Sequence, residues 1–520
     1  MRKVILLLML ALVGLSTQAQ ITFVKTYKNS WSAGAYAVQQ TSDGGYIITG
    51  VTQPNSDYNS YIYLIKTNAN GDTLWTRTYG NGNEIDAGYS VQQTNDGGYI
   101  VAGTIQDSAT ASAHLFIMKT NSNGDTLWTK SYGSNGNSYG YSVRQTNNNG
   151  FIIAGEIDSL GAGGYDALLI KTNSIGDTLW AKTYGGINDD GAESVELTMD
   201  GGYIITGYTN SFGARGSDVY LIKTDSIGDT LWTKTYGGTG GDFGYSVKQT
   251  SDGGYIIAGS FNNGLYYYLI KTNPDGDTLW TKTYTDNSGF YPQSANSVQQ
   301  TNDGGYIIAG ASLFQFEGFA QIDLVKTNST GDTLWTKFYN GGIYGPDNSV
   351  QQTTDGGYII AGRYDMLLIK TDANGNSGCY QFTSLITINS FPTQVSSTAT
   401  IVKSGCLVSN PSKPVGSGGT IVTSHCFSAG INEIKTNDYV SVYPNPTSGI
   451  FTLSIVETRL IAPLQLKFII YDITGREVYS QPILNQESST IDVSNLSNGI
   501  YFYQLTNHSE TYRGKLVVEK

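Results

Sequence analysis

Ser246-Val-Lys-Gln-Thr-Ser-Asp-Gly-Gly-Tyr-Ile-Ile-Ala-Gly259, then Tyr268-Leu-Ile-Lys-Thr272 and Gly276-Asp-Thr-Leu-Trp-Thr-Lys-Thr-Tyr284, is the stretch from which the architecture follows. The aromatic residue after its glycine turn recurs as Tyr46, Tyr99, Phe151, Tyr203, Tyr255, Tyr306 and Tyr358, at steps of 51 to 53 residues. Such a period marks a repeat architecture, in which each unit buries its apolar face only against its neighbours. In the third copy the unit divides into four short segments, 141–146, 151–155, 167–172 and 179–184, rich in β-branched and aromatic residues and bounded by Gly, Asn and Asp. That is strand composition. Asp-Gly-Gly and Asn-x-x-Gly-Asp between the segments are hairpin turns, because Gly and Asn take the positive φ such turns need. Four strands per unit predict a propeller blade.

Counting the parts predicts closure. Gly-Asp-Thr-Leu-Trp occurs only six times, ending at Trp75, Trp128, Trp180, Trp232, Trp280 and Trp335, and the seventh copy stops near Asp372-Ala-Asn-Gly-Asn-Ser-Gly378 without an outer strand. The missing strand stands at the other end as Phe23-Val-Lys-Thr-Tyr27. An N-terminal strand completing the last blade closes the ring and leaves only short, protected edges. Residues 20–376 therefore read as a seven-bladed β-propeller of about 52-residue, four-stranded repeats in an all-β chain.

Residues 1–19 read as a signal peptide: Arg2 and Lys3, an apolar run from Val4 to Leu15, then Thr17-Gln18-Ala19. The run is short against the roughly 20 residues that span a bilayer, so no transmembrane segment is expected in the mature chain. The formal net charge is −12, and by our count all of it falls on residues 20–437. Nucleic acid is a poor partner for such a surface. His114, His425 and His508 stand apart from one another, and neither metal-ligand spacing nor a phosphate-binding loop is present, so no cofactor and no metal is expected.

The loops fall into two sets. Turns joining strands one to two and three to four are nearly identical between copies, whereas the other connections vary, as in 51–60 against 260–264. Differences between copies are where a repeat protein builds a binding surface. Aromatics gather there, and Trp31, Tyr58, Tyr139, Phe212, Phe243, Tyr291, Phe316 and Tyr344 are the candidate ligand-binding residues, suited to stacking on a glycan or anchoring a protein. No catalytic residue is assigned. Gly136-Asn-Ser-Tyr-Gly140 has the spelling of a nucleophile elbow but lies in a loop before a strand. The alternative to a binding or adhesion module is a glycan-active enzyme with carboxylates from several blades, drawn from Glu84, Asp86, Asp189, Asp190, Glu193, Asp242 and Glu317. A structural surface component is a third reading.

Residues 377–437 form a Ser/Thr/Gly-rich linker holding all three cysteines, Cys379, Cys406 and Cys426, whose pairing the sequence leaves open. Valines recur there at 395, 402, 408, 415 and 422. An extended linker and a series of short strands against the propeller edge both fit this echo.

Residues 438–520 read as an immunoglobulin-like β-sandwich with turns at Pro444-Asn445-Pro446, Thr474-Gly475-Arg476 and Ser497-Asn498-Gly499. The runs Val442-Tyr-Pro-Asn-Pro-Thr-Ser-Gly449, Ile470-Tyr-Asp-Ile-Thr-Gly-Arg-Glu-Val478, Val493-Ser-Asn-Leu-Ser-Asn-Gly-Ile-Tyr501 and Lys515-Leu-Val-Val518 resemble the type A C-terminal sorting domain of the type IX secretion system of Bacteroidetes. The motif positions are Pro444, Asn445, Pro446, Gly449, Tyr471, Asp472, Gly475, Arg476, Gly499, Tyr501 and Lys515. The resemblance implies export through the inner membrane, recognition by the type IX outer-membrane translocon, cleavage by its sorting-signal peptidase, and release or lipopolysaccharide anchoring at the surface. The polar stretch 428–438 is the expected site of the cut.

Overall fold

The computed structural model describes residues 20–28, 32–53, 59–80, 85–106, 112–133, 136–285, 293–313, 320–340, 348–378, the strands within 381–429, and 440–443, 446–455, 466–472, 476–483, 488–506 and 511–520. The leader segment 1–19 lies outside them. The chain divides into two compact units, Met1–Gly430 and Ile431–Lys520. Among the described residues no helix is long and apolar enough to cross a membrane.

The first unit is all-β, and the repeat folds as an antiparallel four-stranded element. The third copy runs Ser138–Gln145, Phe151–Ile157, Asp166–Thr172 and Thr178–Gly185. Sheets are numbered 1 to 7 by their first strands: Ser32–Gln40, Ala87–Gln93, Ser138–Gln145, Asp190–Leu197, Phe243–Gln249, Gln293–Gln300 and Ser349–Gln352. Sheet 7 takes its fourth strand from Ile21–Lys28, antiparallel to Leu367–Thr371.

Turn chemistry fixes each hairpin. In the first turn Asp43 Oδ1 accepts from Thr41 Oγ1 at 2.6 Å and from the Gly45 amide at 3.0 Å, while Gly44 takes φ 81°. In the second, Asn68 Oδ1 accepts the amides of Asn70 and Asp72, each at 2.9 Å. Asp372 accepts from Asn374 at 2.9 Å and Asn376 at 2.7 Å in the same way, so the stretch after it is the seventh copy of this turn.

Junctions between sheets repeat as closely as the sheets. Trp75, Trp128, Trp180, Trp232, Trp280 and Trp335 stand edge-on to the turn aromatic of the next sheet at 5.8–6.1 Å. Such pairs contribute about 0.5–1.5 kcal/mol beyond burial. Phe23 meets Tyr46 likewise at 6.2 Å, which joins sheet 7 to sheet 1. The buried fourth-strand tyrosines donate to a glycine carbonyl of the next sheet, Tyr79 to Gly124 and Tyr132 to Gly176 at 2.6 Å, Tyr236 to Gly276 and Tyr27 to Gly71 at 2.5 Å. On the first strands a valine amide donates to a serine Oγ of the neighbouring sheet, as in Val143 to Ser90 and Val195 to Ser142 at 3.2 Å. Val38 does so to Ser349 at 3.4 Å.

Each sheet gains a fifth strand, and all seven come from the segment after the repeats. In chain order Gln381–Phe382 pairs with sheet 6, Thr387–Asn389 with sheet 5, Gln394–Ser397 with sheet 4, Ile401–Ser404 with sheet 3, Leu407–Ser409 with sheet 2, Val415–Gly416 with sheet 1 and Ile421–Ala429 with sheet 7. The segment runs back past the repeats in reverse, one strand per sheet. The valine echo is its register: Val395, Val402, Val408, Val415 and Val422 stand opposite Tyr236, Tyr184, Tyr132, Tyr79 and Tyr27. A seven-residue step in extended chain reaches roughly 23 Å at most, which sets the spacing of the outer edges it can bridge. Each added strand covers an edge that would otherwise template association.

The second unit holds two antiparallel sheets. Val440–Tyr443, Ile450–Ile455 and Ser488–Asp492 form one; Leu466–Tyr471, Glu477–Ile483, Gly499–Thr506 and Thr511–Val518 form the other. Phe451, Leu453 and Ile491 from the first share a core with Phe468, Ile470, Tyr503, Leu505, Leu516 and Val518 from the second.

Candidate functional site

The first strands of sheets 1 to 6 carry a register shift near their start, between Ala35 and Ala37, Gly88 and Ser90, Gly140 and Ser142, Ala192 and Ser194, Gly244 and Ser246, and Ala295 and Ser297. A bulge re-aims the extra side chain. The skipped residues are Tyr36, Tyr89, Tyr141, Glu193, Tyr245 and Asn296. Tyr36 and Tyr89 lie 5.0 Å apart, Tyr89 and Tyr141 5.6 Å, and Arg363 sits over Tyr36 at 5.5 Å. Tyr139 stacks on Tyr141 at 6.2 Å and leans on Tyr165. Further along, Phe243 stacks on Tyr245 at 6.2 Å and packs against Tyr208 at 5.5 Å.

Glu156 joins the two aromatic groups. Tyr141 and Tyr208 each donate their hydroxyl to its carboxylate at 3.0 Å. Burial pushes the Glu156 carboxyl above its usual range, against the pull of these two hydrogen bonds. Burial and the nearby acid raise both hydroxyls further, so they stay protonated and donate. The result is an aromatic belt running from sheet 7 to sheet 5, with a guanidinium at one end and a tyrosine-held carboxylate within it. Its π faces suit stacking on a planar or sugar face.

Of the candidate aromatics, Tyr139 and Phe243 stand in this belt. Phe212 instead packs on Tyr220 at 6.0 Å, against the apolar core between sheets 3 and 4. Trp31, Tyr58, Tyr291, Phe316 and Tyr344 lie outside the described residues. Among the acids, Glu84 and Glu317 also lie outside them. Asp86, Asp190 and Asp242 are almost wholly buried. They hold loops: Asp86 accepts the Gln106 amide at 3.3 Å, Asp190 that of Gly186 at 2.7 Å, and Asp242 those of Gly238 and Asn262, each at 2.7 Å. Asp218, which takes the Ala214 amide at 2.6 Å, and Asp242 are both pushed up to about 6, chiefly by burial and for Asp218 also by the charge of Asp242. They are 2% and 0% exposed.

Tyr89, Tyr141, Tyr245, Glu156 and Tyr208 escape a search confined to loops because they stand inside strand segments, and Arg363 follows directly on one. One signal marks three of them. The residue after the second-strand glycine reads Val51, Thr104, Glu156, Tyr208, Ser260, Ala311 and Arg363, different in every copy, although the glycine before it repeats.

In the second unit the motif positions are mostly turn-makers. Arg476 gives its amide to Asp472 Oδ1 and its Nε to Oδ2, both at 3.1 Å, closing a hairpin. Gly449 takes φ 128°, where a Cβ would come within 3.0 Å of Ser494. Tyr501 donates to the Ser497 carbonyl at 2.9 Å, just before the strand that Gly499 begins. Tyr471 ends a core strand, Pro446 and Lys515 are exposed, and Pro444, Asn445 and Gly475 lie outside the described residues. The family model for the secretion system C-terminal sorting domain matches residues 441–519. Those residues are a type IX sorting domain. The sorting domain directs the protein to the cell surface or beyond and brings it to the type IX secretion machinery. No curated protein matches the chain. Among solved structures, the extracellular domain of a hybrid two-component system from B. thetaiotaomicron is 9% identical, with a TM-score of 0.32 over 94% of this chain and 68% of that one. The BSP domain of a biofilm-associated protein is 10% identical, with a TM-score of 0.12 over 96% and 91%.

Proposed function

We propose that the exported protein is a ligand-binding or adhesion module, a closed seven-bladed propeller whose aromatic belt takes a glycan or a protein surface. Closure is supported by the likeness of the junction between sheets 7 and 1 to the interior ones: Phe23 on Tyr46 in place of tryptophan, Tyr27 on Gly71, and Lys25 on Asp72 at 2.7 Å where Lys130 meets Asp177 at 3.0 Å. The domain division is a leader over 1–19, the propeller over 20–376, a strap over 377–437 and an immunoglobulin-like sorting domain over 438–520 that a sorting-signal peptidase removes at the surface. Ser428 and Ala429 are paired with Thr22 and Ile21, so the cut falls after them, within 430–438.

The observation that carries the binding reading is the belt, in which the bulge tyrosines Tyr36, Tyr89, Tyr141 and Tyr245 are joined by Arg363, Glu156 and Tyr208 from a position that differs in every copy. The test is retention of the full mature chain on a panel of immobilised glycans and surface proteins. Tyr89→Ala with Tyr141→Ala weakens retention about tenfold or more, as loss of stacking at a binding centre requires. Unchanged retention by a double variant of unchanged circular dichroism overturns the belt as the site.

A further inference from the structure

On the side of the glycine turns, residues of sheets 3 to 6 line an open cavity of about 910 Å³. Small-molecule sites span roughly 300–1,000 Å³. Two departures from the repeat meet there. In six copies the buried lysine of Leu-Ile-Lys-Thr or its variants pairs with the aspartate of Asp-Gly-Gly: Lys66 with Asp43, Lys119 with Asp96, Lys223 with Asp200, Lys271 with Asp252, Lys326 with Asp303 and Lys370 with Asp355, all at 2.8–2.9 Å. In the third copy that aspartate is Asn148. Lys171, 6% exposed, gives its Nζ to Thr146 Oγ1 at 2.5 Å and lies over the Tyr203 ring at 5.9 Å. In the six paired copies the ammonium nestles under the second turn glycine; no such approach of Lys171 to Gly150 exists, and Lys171 lines the cavity instead.

The second departure is in the first strands. Gln39, Gln92, Gln299 and Gln351 accept the backbone amide of a neighbouring sheet, as Gln351 does from Gln40 at 2.6 Å. In the three adjacent sheets between, the same position holds Arg144, Glu196 and Lys248. Arg144 Nε meets Glu196 at 3.3 Å and Lys248 bonds the same carboxylate oxygen. One acid thus serves two cations, and among the described residues Lys171 has no carboxylate partner. Around Lys171 and Lys248 the cavity is lined with amides, Asn147, Asn148, Gln249 and Gln300 among them.

We infer that this cavity is a binding site for an anionic carbohydrate, whose carboxylate or sulfate pairs with Lys171 while its hydroxyls bond the surrounding amides. A buried ammonium without a counter-charge is unfavourable until an anion arrives. Amide groups both donate and accept, as sugar hydroxyls require. The site is separate from the aromatic belt and stands or falls independently of it.

The test is calorimetric titration of the full mature chain with trigalacturonate, a sulfated trisaccharide and a neutral trisaccharide. The charged probes bind, at least one of them about tenfold or more tighter than the neutral one, the scale of one charge-assisted pair. Which of the two prevails identifies the carboxylate or the sulfate as the natural group. Lys171→Met removes the preference. Asn148→Asp restores the pairing seen in the other copies, draws Lys171 under Gly150 and abolishes binding without lowering the melting temperature, so loss of fold is not the cause. Equal binding of charged and neutral sugars, no binding of either charged probe, or full binding by Asn148→Asp overturns the proposal.

Discussion

Replacing Tyr27 by phenylalanine isolates a contact on which the proposed ring closure rests. Tyr27 is 0% exposed, and its hydroxyl donates to the Gly71 carbonyl at 2.5 Å. Its strand is paired on both sides, with Leu367–Thr371 and with Ile421–Ala429, so it is an interior strand and not a fraying terminus. Removing the hydroxyl keeps the ring's apolar contacts and leaves a buried carbonyl without that donor, which costs about 1–3 kcal/mol. Tyr236 makes the equivalent bond to Gly276 at 2.5 Å within the array and is equally buried. If the N-terminal strand closes the ring, Tyr27→Phe and Tyr236→Phe lose the same stability. The assay is urea denaturation of both variants and the parent, followed by tyrosine and tryptophan fluorescence. A Tyr27→Phe variant indistinguishable from the parent beside a destabilised Tyr236→Phe refutes closure through this strand.

Three further outcomes are expected. Ala37 stands where six first strands carry a serine that accepts a valine amide from the adjoining sheet, as Ser90 does from Val143; Ala37→Ser therefore raises stability by about 0.5–1 kcal/mol in the same denaturation assay. Asp218 and Asp242 are held up to about 6, above the unfolded value of roughly 3.9, so the folded chain binds more protons between the two. The stability they confer is present below about pH 4 and is lost as pH rises through about 6; melting temperature falls across that window, and Asp218→Asn flattens the fall. Mass spectrometry of material released from the cell surface finds a new C-terminus within 430–438, because strand pairing ends at Ala429.

Much of the fold was legible because its causes are local. Turn glycines and asparagines, with Gly44 at φ 81° and Gly71 at φ 75°, dictate the hairpins, and copying one unit copies its junctions. The displaced strand announced itself because Phe23-Val-Lys-Thr-Tyr27 repeats the pattern of Trp280-Thr-Lys-Thr-Tyr284. The sorting domain was equally plain, since its motifs are short contiguous runs that make turns. The fifth strands were another matter. Pieces as short as Val415–Gly416 have no propensity of their own and become strands only by pairing with a distant edge, Val415 with Tyr79. Only the valine spacing hinted at them, and spacing says nothing of the partner.

The candidate sites divide along the same line. Composition pointed to aromatics in the variable loops, yet the belt draws Tyr89, Tyr141 and Tyr245 from inside strands, because a bulge turns a scaffold residue toward its neighbours in the next sheet. Asn148 for aspartate and the run Arg144, Glu196, Lys248 were in the sequence throughout, as single departures from a repeated theme. By itself the sequence determined the repeat, its strands and turns, and the export signal, since those depend on neighbours a few residues away. Only the tertiary structure decided where the 381–429 strands lie, which aromatics meet, and that two departures from the repeat 100 residues apart, Asn148 and Lys248, line one cavity, because packing of whole sheets brings together residues that no local rule connects.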